Sequence, residues 1–171
     1  ALAIRTVHAG AQDYLPKSDP NGRSLARDIR YAIERKASEE QLRQLTALQS
    51  AILDSADYSI ISTDVDGRIR TFNAAAERWL GYRSDEMIGR VSPLLIHDPE
   101  EIAQRARELT VELGKPVAAT FEVFTARAQL GLPDDREWTY VRKDGRRFPV
   151  SLSLTALRDH LGRVVGFLGI G

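Results

Sequence analysis

The chain has 171 residues, 43% hydrophobic and 28% charged, with 24 Lys and Arg balancing 24 Asp and Glu. That length buries one good core and an appendage but hardly two independent cores, and zero formal charge argues against a general nucleic-acid or anionic-membrane binder, which needs a basic excess. The absence of Cys removes disulfides, thiolate nucleophiles, Cys-based zinc and iron–sulfur sites and any Cys-linked flavin, and it fits a cytoplasmic location.

Residues 1–23 read as a short helix with Ile4 and Val7 on one face, a turn at Gly10, a strand-like stretch over 13–15 and a loop over 18–22. From Ser24 to about Ser55 no Pro or Gly interrupts a helical pattern far longer than the usual ~11–12 residues. Leu25, Ile29 and Ile33, then Leu42, Leu45, Leu48 and Ile52, recur every three or four residues as a narrow seam. Arg35 with Glu39 and Glu39 with Arg43 stand at the i, i+4 spacing of a solvated face. Such a helix needs a partner, most simply a second copy of itself. A homodimer is therefore expected, with Leu42, Leu45, Leu48 and Ile52 as its contact and signal relay.

From Ser59 the period drops to two. Residues 59–65 and 68–73 flank Asp66-Gly67, a strong hairpin signal. Asn73 then caps a helix over 74–80 stopped by Gly81, and Ser84 caps a turn over 85–88 stopped by Gly89. Asp98-Pro99-Glu100-Glu101 opens a helix to Leu113, with Asp98 and Glu101 spaced for a capping box and Ile102, Ala106, Leu109 and Leu113 on one face. A second helix is predicted over 121–130, and the acids Asp134 and Asp135 read as a solvated loop.

The end of the chain returns to strands. Residues 137–143 turn at Asp144-Gly145 into 147–157, where Phe148, Val150, Leu152 and Leu154 alternate with Pro149, Ser151, Ser153 and Thr155. The last strand, 163–170, is apolar at odd and even positions alike, so it is expected to be covered on both faces. Its apolar run is far short of the roughly 20 residues of a membrane span, and no membrane partner is expected. The single Met is Met87, so Ala1 is not read as a translation start and the chain is expected to come from a larger protein.

This element order resembles the PAS sensory fold, and the wording agrees in six segments. They are 64–69 (DVDGRI), 72–77 (FNAAAE), 80–82 (LGY), 86–89 (EMIG), 142–145 (RKDG) and 166–170 (GFLGI). The resemblance covers about 56–171 and implies an α+β fold: a five-stranded antiparallel sheet of order 2-1-5-4-3, helices on one face, and here a long N-terminal helix besides. It also implies that Glu86 and Lys143 form an ion pair across a helix-to-strand junction. The stretch 118–131 is longer than the family's compact form. Upstream, Ala9 to Lys17 followed by 25–36 resembles the end of a response-regulator receiver domain, with Lys17 and Tyr14 at its phosphoryl-contacting and switch positions, although Ser18 stands where that family places Pro. Three segments follow: a receiver remnant over 1–23, a connecting helix over 24–55 and a PAS domain over 56–171.

No catalytic constellation is legible. There is no Ser/His/acid wording, no glycine-rich loop between strand and helix and no HExxH. His8, His97 and His160 are too scattered to hold a metal, and His97, just before the capped helix, reads as solvent-facing or capping. Trp79, Trp138 and Tyr140 read first as core. The expected function is a cytoplasmic, non-enzymatic signalling module without cofactor, coupled to an output domain after Gly171; in similar architectures that domain is a histidine kinase or a diguanylate cyclase. The alternative is a ligand or cofactor sensor whose cavity is lined by residues from among Trp79, Ile102, Leu109, Tyr140, Val150, Leu152 and Phe167.

Overall fold

The computed structural model describes residues 22–132 and 134–171. Of the receiver-like segment expected over 1–23, everything up to Asn21, with His8, Tyr14 and Lys17, lies outside the described residues, as does the side chain of Leu25. Helix α1 spans Gly22–Ser55. Ile29, Ile33, Leu42, Leu45, Leu48 and Ile52 are all exposed along it. Arg35 pairs with Glu39 at 3.6 Å, but Arg43 chooses Glu40, at 2.8 Å, over the expected Glu39. Among the described residues no helix is long and apolar enough to cross a membrane.

The unit that runs from Ile52 to Gly171 carries the sheet. Its strands are β1 (Ile60–Thr63), β2 (Ile69–Phe72), β3 (Asp134–Val141), β4 (Arg147–Arg158) and β5 (Val164–Ile170). They pair antiparallel in the order β2-β1-β5-β4-β3. Between β2 and β3 come α2 (Ala74–Leu80), α3 (Ser84–Met87), a 3₁₀ turn over Pro93–Ile96, α4 (Pro99–Leu113) and α5 (Glu122–Gln129). The alternation in β4 puts Val150 and Leu152 under these helices and leaves Ser151 and Ser153 on the other face. Ile61, Phe72, Trp138, Leu109, Val123 and Phe124 join them in one core.

Asn73 does more than cap a helix. Its Oδ1 accepts from Ala76 N–H and from Ile60 N–H, both at 3.0 Å, while its Nδ2 donates to the carbonyls of Leu53 at 2.9 Å and Tyr58 at 3.0 Å. The last turn of α1, the first strand and α2 thus meet on one buried amide.

Several sequence expectations are revised in the packed chain. Asp98 caps α4 by accepting from Glu100 N–H at 2.8 Å, but Glu101 does not close the capping box. Its carboxylate instead accepts from Thr139 N–H and Oγ1, both at 2.7 Å, which straps α4 to the edge strand β3. Helix α3 begins at Ser84 rather than after it, with Glu86 accepting from Arg83 N–H at 2.9 Å. Strand β3 starts at Asp134, not Glu137, because that carboxylate is held by Arg105 at 3.2 Å and Arg127 at 3.7 Å. Arg105, only 11% exposed, also reaches Glu108 and Glu112, so Asp134 is a half-buried network member and not a solvated loop acid. Finally, the double cover expected for β5 is incomplete: Val165 and Ile170 stay exposed among the described residues.

Gly166 sits where β5 passes the end of β1. A Cβ there would land on the Thr63 carbonyl oxygen, a backbone atom that cannot swing aside. Gly166→Ala is expected to cost about 1–3 kcal/mol, as overpacking does, read as a lower urea midpoint; a wild-type midpoint would mean that the strand pair has room to spread.

Candidate functional site

Between the helices and the sheet lies an interior cavity of about 30 Å³. Ile61 and Thr63 of β1, Leu152 and Leu154 of β4 and Phe167 and Gly169 of β5 form its floor. Pro93, Ile96, His97, Phe121 and Phe124 form its roof, and Tyr140 one wall. The cavity is small because rings fill the space around it. His97 lies 4.5 Å from Phe124, 4.9 Å from Tyr140 and 5.4 Å from Trp138, centroid to centroid, and Phe121 packs edge-on against Phe167 at 5.8 Å. Phe121 also covers Gly67 in the β1–β2 turn, where a Cβ would come within 2.6 Å of its ring.

His97 is the main correction to the sequence reading. It is 3% exposed, not solvent-facing. Its backbone forms a β-bridge with Tyr140, and the adjoining Asp98 N–H donates to Thr139 O at 3.2 Å, so the strand edge draws the residue inward. Nδ1 lies 2.7 Å from the Pro93 carbonyl oxygen. A carbonyl can only accept, so Nδ1 carries the ring proton and Nε2 is left a bare acceptor. Nε2 and Thr63 Oγ1 are both buried without a hydrogen-bond partner among the described residues. Burial lowers the His97 pKa to about 4, against the opposing pull of the Pro93 carbonyl and Glu101.

The other expected residues are distributed. Tyr140, Leu152 and Phe167 line the interior cavity. Trp79 and Val150 line a second, open groove of about 680 Å³, together with Tyr58, Arg78, Arg142, Phe148 and Gly171. Ile102 and Leu109 are buried in α4 and line neither. Glu86 and Lys143 meet at 2.6 Å, and the Lys143 N–H donates to Leu80 O at 2.9 Å, which docks the β3–β4 hairpin onto α2 and α3. The Glu86 pKa is lowered by the Arg83 N–H and by Lys143. Among the described residues no group of three or more His, Asp or Glu could hold a metal ion. Thr63 escaped the sequence reading because a threonine in a strand carries no signal of its own; the burial of His97 escaped it because one residue between two helical turns has no period.

An antiparallel sheet in this order, roofed on one face by short helices around a small interior space, defines one class of α+β module. The PAS fold family model matches residues 47–171, and the chain belongs to that family. It is 29% identical over 143 residues to the C4-dicarboxylate transport sensor protein DctS of Rhodobacter capsulatus, a match over 82% of this chain and 19% of that protein. It is 30% identical over 114 residues to two-component system protein A of Emericella nidulans, covering 67% of this chain and 14% of that one. The chain therefore spans less than a fifth of the length of either relative. The PAS domain of an HTR-like protein from Haloarcula marismortui superposes with a TM-score of 0.55 at 24% identity, over 79% of this chain and 96% of that one.

The buried imidazole ties stability to pH. Unfolded His97 titrates near 6.5 and folded His97 near about 4, so between these values the unfolded chain takes a proton that the folded one refuses. Its contribution is complete above pH 6.5 and falls as the pH drops toward 4, by on the order of 3 kcal/mol. Urea titrations of wild type and His97→Gln isolate the imidazole, since carboxylate contributions cancel in the difference. The wild type is expected to lose the larger share of stability between pH 7 and 4.5; parallel curves would show that His97 is solvated.

Proposed function

We propose that this chain is a non-catalytic relay module of a larger cytoplasmic sensor or two-component protein, acting as a homodimer built on α1 and passing a conformational change to an output domain beyond Gly171. The observation that carries this reading is the stripe Leu42, Leu45, Leu48 and Ile52, each 59–67% exposed on a helix whose last turn is fastened to the sheet by Asn73. Four apolar side chains at three- and four-residue spacing, all in water, match the seam of a two-helix coiled coil. The names of the two relatives, a transport sensor and a two-component protein, support a signalling role.

A cofactor-loaded sensor is the second reading. An interior of about 30 Å³ is far below the ~300–1,000 Å³ of ordinary small-molecule pockets, so as packed it does not take a flavin-sized group. This favours the relay, in which the sheet responds to a shift in α1 rather than to a bulky ligand.

Leu45→Asp is expected to weaken dimerisation at least tenfold while leaving the sheet folded. Sedimentation of wild type as a dimer and of the variant as mostly monomer supports the reading; an unchanged dimer, or a monomeric wild type, overturns it. Asn73→Asp keeps the Oδ1 contacts with Ile60 and Ala76 but removes both Nδ2 donations. Amide exchange over 53–58 is expected to speed up several-fold with β3–β5 unchanged, and unaltered exchange would mean that the amide does not couple α1 to the sheet.

A further inference from the structure

Two polar atoms, His97 Nε2 and Thr63 Oγ1, lie buried without a partner among the described residues, and both residues line the same interior cavity of about 30 Å³. Thr63 is 5% exposed and His97 3%, so neither residue is served by bulk solvent. Buried polar groups in folded proteins are almost always paired, with protein or with a held molecule. One such orphan could be an accident of packing. Two that line one small space, on elements distant in sequence, define a site.

We propose that His97 and Thr63 form a binding site for one small neutral hydrogen-bond donor, an O–H or N–H compound of one or two non-hydrogen atoms. The chemistry of each limit is on the page. The Pro93 carbonyl holds the ring proton on Nδ1, so Nε2 must accept and its partner must donate. The Thr63 hydroxyl can accept from the same molecule or donate to it. Among the described residues no charged side chain lines the cavity, and its remaining walls are aliphatic and aromatic, so neither an anion nor a cation finds compensation there. Size sets the scale: a buried water needs a cavity of roughly 10–15 Å³, and about 30 Å³ suits a water or a molecule of methanol size.

The position gives the site a structural effect. His97 lies between the 3₁₀ turn and the Asp98 cap of α4 and is bridged to Tyr140 of β3, while Thr63 in β1 pairs with Phe167 of β5. A molecule bonded to both ties the helix layer to the centre of the sheet. The site stands whether or not α1 dimerises, because it lies wholly inside the sheet-bearing unit.

Solution NMR on the isotope-labelled 171-residue chain tests it. Long-range ¹H–¹⁵N correlations report the ring tautomer, and cross-relaxation from water and from unlabelled molecules reports what touches Thr63 and His97. The expected result is a protonated Nδ1, a hydrogen-bonded Nε2, and cross-peaks from a long-lived water at both residues. Cross-peaks instead from a retained unlabelled alcohol would support the same site and identify its other source. A proton on Nε2, or no foreign cross-peak at either residue, overturns the proposal. Thr63→Val keeps the shape and removes the oxygen; the His97 cross-peak is expected to fall at least fivefold with the fold's chemical-shift dispersion retained. An undiminished cross-peak in that variant also overturns the two-residue site. Dimerisation is read separately by sedimentation, so loss of this site and loss of the relay cannot be confused.

Discussion

The side-chain amide of Asn73 is the constraint on which the rest of the sheet-bearing unit depends. A primary amide has two acceptor sites and two donors, and here both donors and both acceptances are used, on Ile60, Ala76, Leu53 and Tyr58. Because the residue is 2% exposed, water cannot stand in for any of these partners. The exit from α1, the start of β1 and the entry into α2 are therefore fixed relative to one another by a single planar group. A buried polar network is worth most when it is complete, and this one is complete.

Around that anchor the core divides its labour between rings and charges. Near the centre, Phe124, Trp138, Tyr140 and Phe121 close in on His97 and reduce the interior to about 30 Å³. From the middle of α4 and the last turn of α5, Arg105 and Arg127 hold Asp134, whose carboxyl burial pushes upward while the two guanidinium groups pull it back. Arg136 holds Glu108, whose pKa falls to about 2. The charged cluster lets strand β3 begin three residues early without stranding an acid in the interior.

These features bear on signalling in a consistent way. A tightly filled interior transmits displacement, since packed side chains have discrete arrangements and little compressibility. Glu101 strapped to Thr139 and Lys143 paired with Glu86 fasten the helix layer to β3 and to the β3–β4 hairpin. Movement at the last turn of α1 would therefore reach the sheet through Asn73, and the polar pair His97 and Thr63 sits on the line between the helix layer and the central strands. In the proposed relay, the exposed stripe of α1 is where a second copy of the chain acts on it.

Much of this was legible in the sequence, for reasons that are local. Asp66-Gly67 and Asp144-Gly145 set tight turns because glycine alone takes their left-handed backbone without strain. Period-two alternation in 147–157 assigned its two faces, and Asp98-Pro99 marked the start of α4. The sheet order followed from resemblance of six short segments and is the order observed. What the sequence could not decide were the partners of groups whose nearest competitors lie far away along the chain. Glu101 had a local option in the capping box and took Thr139, 38 residues on. Asp134 looked solvated until Arg105 was brought beside it, and His97 looked exposed until Tyr140 bridged to it. Local dihedral preference and periodicity are written residue by residue and so determined the elements and their order; burial and hydrogen-bond partnership are properties of the packed chain, and only the tertiary structure decided them.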